Sequence, residues 1–308
     1  MRGTAVAPGT CGELVQGTME KINFHITCPV NCYSKVSVDI NNPKNNFVYV
    51  NDPRRTKVIQ AVSKTMLYLT GEILGASVNV ETKLPISKGM ASSTADITAA
   101  CSATAKALGC FLSPTEISKI ALSIEPSDGL FYPGIVAFDH VKGDFYKEIG
   151  EAVDIDLLVY DFGGEIDTII FNQRPDLKEK NALNEKQVKK AFKLVEKGLR
   201  TNDFNLVAQG ATLSALTNQN IIYKPELEKV IEIILKNDGL GVNTAHSGTL
   251  IGILYNAKYC DYEKISALIR KSFPGLFYLG KFKLINGGIN FPLEEEYFCP
   301  KLGNMVAT

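Results

Sequence analysis

The sequence predicts an α+β protein with two lobes. In both halves of the chain, segments rich in β-branched and aromatic residues alternate with segments whose apolar residues recur at helical spacing. The length of 308 residues favours about two domains. Hydrophobic residues make up 45% of the chain and charged residues 21%, which are ordinary globular values that allow a sizeable core. Each half is therefore expected to contribute both strands and helices.

The first half of the chain is predicted to hold five strands and three helices. The first helix spans residues 56–69, where apolar residues recur at helical spacing. The second ends at Gly109, and the third begins with a capping box from Ser113 to Glu116. The predicted strands are residues 4–9, 21–30, 33–40, 46–50 and 75–82.

The second half repeats this mixture of elements. Helical spacing marks two helices, around residues 188–199 and 227–234. The predicted strands are residues 154–162, 167–171, 249–255 and 276–285. A domain boundary is expected near residues 150–155, which would divide the chain into lobes at 1–152 and 153–308.

The composition indicates which classes of binding partner and which cell compartment to expect. Lys+Arg and Asp+Glu both number 33, so no global field attracts nucleic acid or an anionic membrane. No run approaches 18 apolar residues, and the N-terminus lacks the apolar region of a signal peptide. Seven scattered cysteines fit a reducing compartment better than a disulfide framework. We therefore expect a cytoplasmic protein with no nucleic-acid or membrane partner; a homodimer stays open.

The stretch "KLPISKGMASSTADITAA", residues 83–100, gathers small and hydroxyl residues where a helix begins. The first N–H groups of a helix lack internal partners, and the helix dipole adds positive charge there. Small residues let a phosphate approach this backbone, and the hydroxyls of Ser92 and Ser93 can donate to it or bind magnesium. The alternative is a plain N-cap before a helix of small residues packed on a sheet.

Other phosphate-binding signatures do not account for this stretch. A Walker A sequence is absent, which argues against a P-loop NTPase. The tripeptide Asp161-Phe162-Gly163 has no kinase catalytic loop or V-A-I-K strand with it, so we interpret it as coincidence. No G-x-G-x-x-G signature supports a Rossmann fold.

Three motifs in order resemble those of the GHMP kinases, which include galactokinase, homoserine kinase, mevalonate kinase and phosphomevalonate kinase. "VAPGTCGELVQG" resembles the opening motif, although it is shortened between Gly9 and Gly12. "GVNTAHSGTLIGIL" resembles the third, Gly-rich motif, with His246-Ser247 where the family usually has a glycine run. The central motif P-x-x-x-G-[LM]-x-S-S-[AT]-A is matched by Pro85, Gly89, Met90, Ser92, Ser93 and Ala95. The resemblance implies an N-terminal lobe like ribosomal protein S5 domain 2 and a ferredoxin-like C-terminal lobe.

Within the family, the chain looks most like the L-threonine kinases of cobalamin synthesis. Those enzymes carry "APxxCGELxQG", "KGMASSTAD", "EPSD…PG…FDH" and "AHSG" in this order. The corresponding segments here are residues 7–17, 88–96, 125–140 and 245–248. The resemblance implies ATP-dependent phosphorylation of the L-threonine hydroxyl, giving O-phospho-L-threonine for the aminopropanol linker of cobalamin.

The resemblance also implies roles for the central motif. Its residues would surround the triphosphate of ATP, with Ser92 contacting phosphate and Ser93 helping to hold Mg²⁺. Lys88 would neutralise charge on the moving phosphoryl group, unless it is a solvated loop lysine. The predicted ATP-binding residues are Pro85, Ile86, Ser87, Lys88, Gly89, Met90, Ala91, Ser92, Ser93, Thr94 and Ala95.

The acids of "IEPSDG" are the second candidate group. Mg²⁺ prefers carboxylate oxygen, so one acid can bind the metal, while the other can orient or deprotonate the acceptor hydroxyl. The family resemblance assigns the metal to Glu125. That leaves Asp128 as the candidate base, against the alternative that it caps a turn. Asp139 and His140 of "FDHV" are alternates, unless they only end a strand.

An amino-acid acceptor requires partners for its ammonium and carboxylate groups. The candidates from the opening and third motifs are Glu13, Gln16, His246 and Ser247, unless these polar residues only hold turns. Asp161 and Thr168 are weaker candidates from the second lobe. His25, Cys28 and Cys32 have a spacing like that of metal ligands, but no fourth ligand accompanies them.

Three functions remain open from the sequence. The first is an L-threonine kinase, and the second is a kinase of the same fold that acts on homoserine or serine. The third is a catalytically silent ATP-binding sensor. Retention of Ser93, Glu125 and Asp128 together argues against the sensor, because a sensor can dispense with the metal ligand.

Overall fold

A computed structural model describes residues 1–42, 46–164 and 173–291. The described strands are β1 (Arg2–Met19), β2 (Ile22–Asn42), β3 (Val48–Val50), β4 (Gly75–Thr82), β5 (Ile135–Phe138), β6 (Tyr146–Gly150), β7 (Asp156–Asp161), β8 (Gly241–Thr244), β9 (Leu250–Tyr255) and β10 (Phe277–Lys283). The described α-helices are α1 (Thr56–Thr70), α2 (Ser92–Ala107), α3 (Pro114–Leu122), α4 (Leu177–Arg200), α5 (Phe204–Thr217), α6 (Leu227–Leu235) and α7 (Tyr262–Ser272). Short 3₁₀ turns lie at Gly129–Phe131 and Asn218–Asn220.

All ten described strands join one sheet. Its main order is β10-β7-β9-β8-β1-β2-β4-β3, and β5 pairs with both β2 and β6. The long hairpin of β1 and β2 turns at Glu20 and Lys21, which both have positive φ, as a tight two-residue hairpin turn requires. The first and second halves of the chain meet where Glu13 of β1 pairs with Thr244 of β8.

Helix α2 lies at the centre of the first half and packs on β1, β2 and α1. It is buried on almost every side, because small residues occupy most of its positions. Gly3 of β1 allows this close packing, since a Cβ there would lie 2.1 Å from the carbonyl oxygen of Ala103. Burial on all sides is typical of a core helix and holds the start of α2 firmly in place.

The second half packs its helices on both sides of its strands. Helices α4 and α5 pack on each other and on β1, so their apolar residues extend the main core. A separate core lies between the other strand face and helices α6 and α7. Its fully buried members include Leu158, Tyr160, Val230, Ile234, Ile251 and Ile253.

The α+β class predicted from the sequence is confirmed, as are most element positions. Helix α1, strand β4 and the capping box of Ser113 and Glu116 lie where they were predicted. The predicted strands at 21–30 and 33–40 are instead one strand, β2. Residues 167–171 lie outside the described part of the chain, and the domain boundary near 152 stays a prediction. Within the described residues, no helix is both long and apolar enough to cross a membrane.

Candidate active site

The three sequence motifs meet around one cleft of about 250 Å³. Backbone hydrogen bonds join the opening and central motifs: the N–H of Gly12 donates to the carbonyl of Gly89, at 3.0 Å, and Thr10 donates to Met90, also at 3.0 Å. The third motif joins them because the N–H of His246 donates to the carboxylate of Glu13, at 2.6 Å. Segments more than 150 residues apart in the chain therefore form one wall.

The turn before α2 has an unusual backbone. Ser87, Gly89 and Ala91 all have positive φ, at 60°, 97° and 50°. A Cβ on Gly89 would lie 2.4 Å from the Cβ of Ala245, so only glycine fits this position. The first backbone bond of α2 runs from Ala95 to Ala91. The N–H groups before Ala95 therefore precede the internal bonding of the helix and are suited to a phosphate.

Ser93 and Glu125 converge at the start of α2. The Ser93 hydroxyl donates to one carboxylate oxygen of Glu125, and Lys57 donates to the other at 2.5 Å. The Glu125 side chain is only 7% exposed, whereas that of Lys57 is 42% exposed. A hydroxyl and a carboxylate are oxygen donors of the kind that Mg²⁺ prefers, so this pair fits a magnesium ion.

Two other residues of the central motif point away from this pair. The Ser92 hydroxyl donates to the carbonyl of Leu84, at 3.4 Å. The Lys88 ammonium lies 3.0 Å from Asp161 and donates to the carbonyl of Gly164, at 2.7 Å. Lys88 thus ties the loop to the second half of the chain. Nine of the predicted ATP-binding residues line the cleft: Pro85, Ile86, Ser87, Gly89, Met90, Ala91, Ser92, Ser93 and Thr94.

The other end of the cleft holds all three histidines of the chain. His25 lies near the start of β2, His140 follows β5, and His246 follows β8. The rings of His25 and His140 stack, with centroids 3.7 Å apart and planes at 10°. One ring nitrogen from each of the three histidines lies within 4.8 Å of the other two.

His25 also lies between two acids. Its Nδ1 is 3.3 Å from Asp128 Oδ1 and 3.9 Å from Glu13 Oε1. Asp128 is held from behind, because its backbone N–H donates to the Thr94 hydroxyl, at 3.4 Å. The described cleft therefore has one end where Ser93 and Glu125 meet and an acidic end at Glu13 and Asp128.

Comparison with known proteins identifies the family. A sequence model of the GHMP kinases N terminal domain matches residues 56–131, and one of the GHMP kinases C terminal domain matches residues 195–269. An L-threonine kinase of Salmonella typhimurium is 30% identical over 261 residues, which is 85% of each chain. The chain belongs to the GHMP kinase family.

Solved structures agree with the fold of a GHMP kinase. Homoserine kinase from Cytophaga hutchinsonii is 16% identical, covers 94% of this chain and 96% of its own, and has a TM-score of 0.70. A complex of MDDEF with MVAPP, AMPPCP and magnesium is 15% identical, covers 94% and 99%, and has a TM-score of 0.68. The predicted family and fold are confirmed, and the protein is an ATP-dependent kinase that phosphorylates a hydroxyl group of a small molecule.

Burial sets the charge states at the acidic end of this GHMP kinase. Burial raises the pKa of Glu13, and the nearby Asp128 carboxylate raises it further. Burial lowers the pKa of His140 and of His246, and the proximity of His25 adds to both shifts. His140 and His246 are therefore neutral near pH 7, and His25 is the imidazole whose Nδ1 faces the two acids.

Several predicted acceptor-binding residues hold the wall of the cleft together. The Gln16 amide donates to the carbonyl of Thr244, at 3.2 Å, and its oxygen lies 3.1 Å from His246 Nδ1. Glu13 receives the N–H of His246 and also faces the cleft, as does Ser247. The Asp139 carboxylate accepts from the N–H groups of Val141 and Lys142, at 3.0 and 3.1 Å. Asp139 thus stabilises its own turn, and Gln16 supports the cleft from behind.

Lys57 and Lys224 carried no signal in the sequence, and the spacing of His25 suggested a metal ligand rather than a partner for the acids of this site. Lys57 lies on an amphipathic helix between the motifs, His25 lies on a strand, and Lys224 lies between α5 and α6. Lys224 is buried, and its ammonium donates to the carbonyl of Ala245, at 3.1 Å. Only the folded chain brings these residues to the motifs. Of the weaker candidates, Asp161 binds Lys88, and Thr168 lies outside the described residues.

Proposed function

We propose that this GHMP kinase transfers the terminal phosphoryl group of ATP to the side-chain hydroxyl of L-threonine. The products are ADP and O-phospho-L-threonine, which would supply the aminopropanol linker of cobalamin. The observation that carries the proposal is the meeting of all four threonine-kinase motifs at one cleft. The relative named L-threonine kinase, similar over 85% of both chains, supports the same substrate.

The central motif would hold the nucleotide. Small residues and positive φ angles bring the start of α2 close to a phosphate, where N–H groups and the helix dipole favour negative charge. Ser93 and Glu125 would hold Mg²⁺, which when bound supplies positive charge that offsets the charge on the phosphate oxygens. Phosphoryl transfer needs mainly such positioning and charge neutralisation, so these groups suffice for the nucleotide side.

Asp128 would accept the proton of the acceptor. As the threonine oxygen bonds to phosphorus, the bond from phosphorus to the bridging oxygen of ADP breaks. The hydroxyl proton moves to the carboxylate of Asp128 and later to solvent. His25 lies 3.3 Å from one oxygen of Asp128 and fixes the orientation of the carboxylate.

The acidic end of the cleft would recognise the amino acid. Glu13 and Asp128 carry the carboxylates that an ammonium group requires, and His246 and Ser247 line the same end. Gln16 would act by holding His246, and Lys88 by tying the central loop to Asp161. We further propose a cytoplasmic protein with lobes at 1–152 and 153–308 that acts without nucleic-acid or membrane partners.

A panel of acceptors tests the proposed function. ADP release from ATP and Mg²⁺ is measured with L-threonine, L-serine, L-homoserine and no acceptor, and the product is identified by mass and ³¹P NMR. We expect a clear preference for L-threonine. Preference for homoserine or serine would keep the kinase mechanism and overturn the substrate. Nucleotide binding without turnover of any acceptor in the panel would contradict the proposal and favour a silent sensor.

A further inference from the structure

A cationic side chain that lines the cleft can contact an incoming nucleotide only if it leaves its acidic partner. Within the described residues the side chains of this kind are Arg54, Arg55 and Lys57, and each already has an acidic partner. Arg54 makes two hydrogen bonds to Asp52, at 2.9 and 2.8 Å. Arg55 binds the buried Asp96 and lies 3.5 Å from Asp52. Neither Asp52 nor Asp96 is a proposed metal ligand, so metal binding leaves both arginines paired.

Lys57 differs because its partner is the proposed metal ligand. Its ammonium and the Ser93 hydroxyl occupy the two oxygens of Glu125. A divalent cation held by Ser93 and Glu125 would repel the adjacent ammonium. Lys57 is also the partner that can leave, since its side chain is 42% exposed while Glu125 stays buried. With a cation held there, Lys57 would be the side chain free to bring a positive charge to the start of α2.

We propose that Lys57 is a catalytic residue that changes partners. Before the metal binds, it neutralises the buried carboxylate of Glu125. After the metal binds, its ammonium contacts the terminal phosphate of ATP and offsets the charge that shifts during transfer. This role rests on the proposed kinase function. It gives the site a cation from α1, because Lys88, the lysine of the central motif, is already paired with Asp161.

Nucleotide binding without acceptor tests the second half of this exchange. Calorimetry compares AMPPCP and ADP, each with Mg²⁺, on the wild type, Lys57→Met, Lys57→Arg and Arg54→Gln. We expect Lys57→Met to weaken AMPPCP binding about tenfold or more, the range of one charge-assisted hydrogen bond, and ADP binding less than about twofold. Lys57→Arg should recover part of the loss. Arg54→Gln, which removes a cleft cation paired with Asp52, should change neither affinity.

Magnesium dependence tests the first half. Because Lys57 competes for Glu125, Lys57→Met should lower the half-saturating free Mg²⁺ about two- to fivefold, the range of one partly exposed ion pair. Its kcat should nevertheless fall about 100-fold, as expected when one charge-stabilising donor is removed. A variant that had merely lost structure would be slower, but it would not bind Mg²⁺ more tightly.

The outcomes separate this role from the proposed function. If AMPPCP and ADP lose affinity equally, or if Arg54→Gln matches Lys57→Met, the exchange of partners is wrong and Lys57 acts only through general charge. An unchanged Mg²⁺ requirement also overturns it. The expected binding pattern in a protein that turns over no acceptor would support Lys57 while contradicting the threonine kinase.

Discussion

At the scale of single residues, the acidic end of the cleft depends on one imidazole. His25 lies 3.3 Å from Asp128 and 3.9 Å from Glu13, and its ring stacks on His140. Two carboxylates so close together, that of Glu13 buried and that of Asp128 partly buried, would repel each other without a donor between them. The stacked ring fixes the direction of Nδ1, which holds one oxygen of Asp128, and the proposed function assigns the other oxygen to the acceptor.

Replacing the proposed base tests this arrangement. Asp128→Asn keeps the size of the side chain and removes its ability to accept a proton. We expect kcat with L-threonine to fall by about 100-fold or more, the usual contribution of a general base. The measurement is steady-state ADP release, with L-threonine binding measured by calorimetry as the control. A nearly unchanged kcat with normal L-threonine binding would show that Asp128 is not the base.

Sequence reasoning found residues that lie in motifs and missed those that do not. Ser93, Glu125 and Asp128 follow from short patterns, and the fold brings all three to one cleft. Lys57 is an ordinary residue in its own segment, and the spacing of His25 with two cysteines suggested a metal ligand rather than a partner for Asp128. Their positions depend on how α1 and β2 pack, which involves contacts between residues 68 and 103 positions apart. The spacing of residues within one segment does not predict such contacts.

At the scale of elements, the proposed function requires the turn before α2 to let a phosphate approach. Three of its residues have positive φ, and the loop is held by backbone bonds from Thr10 and Gly12. A loop restrained at several points keeps its N–H groups in place before the nucleotide arrives. The strain of its non-glycine residues is offset by these bonds.

Gly89→Ala tests the turn. The added methyl group would meet Ala245 at 2.4 Å in a backbone conformation that alanine disfavours. We expect unfolding free energy to fall by about 1–3 kcal/mol and nucleotide affinity to fall as the loop shifts. Chemical denaturation and AMPPCP calorimetry give the two quantities.

Gly71→Ala is the matched control for Gly89→Ala. Gly71 also has positive φ, at 81°, but nothing lies within 4 Å of its added Cβ. Gly71→Ala should lower the unfolding free energy by about 1 kcal/mol, the cost of placing alanine at positive φ, and leave nucleotide binding unchanged. Equal effects of the two substitutions on nucleotide binding would contradict the role assigned to the turn.

The hairpin of β1 and β2 shows why one predicted boundary was wrong. The sequence predicted a break at residues 31–32, and the structure has a register shift there: Pro8 pairs with Tyr33, but Gly9 pairs with Val30. The break in the pattern marks a bulge within a continuous strand. Polar turn residues identify an irregular backbone, but the pairing partner decides whether the strand ends or continues.

At the scale of the whole molecule, the two halves meet through the third motif. Gln16 and Glu13 of β1 hold His246, and Lys224 holds the carbonyl of Ala245. Burial lowers the pKa of Lys224 to about 8, and the Glu13 carboxylate partly opposes this shift. A buried ammonium at this junction lowers the unfolding free energy near neutral pH. The protonation of Lys224 can therefore be followed through the pH dependence of the unfolding free energy.

Stability against pH therefore depends on Lys224. The unfolded chain binds its proton up to about pH 10.5, whereas the folded chain releases it near pH 8, so unfolding free energy rises with pH between these values. Lys224→Met lacks this rise. Since one pKa unit corresponds to about 1.4 kcal/mol, its stability relative to the wild type should fall by on the order of 3 kcal/mol from pH 7.5 to 10.5.

Urea denaturation at several pH values measures this difference for Lys224→Met, because groups that titrate alike in both proteins cancel. Lys190→Met, at an exposed position of α4, is the control for losing a lysine charge, and its difference from the wild type should stay constant. A constant difference for Lys224→Met as well would mean that Lys224 keeps its proton throughout this range. The junction would then hold a charged ammonium that Glu13 fully compensates, and removing Lys224 would destabilise the protein equally at every pH.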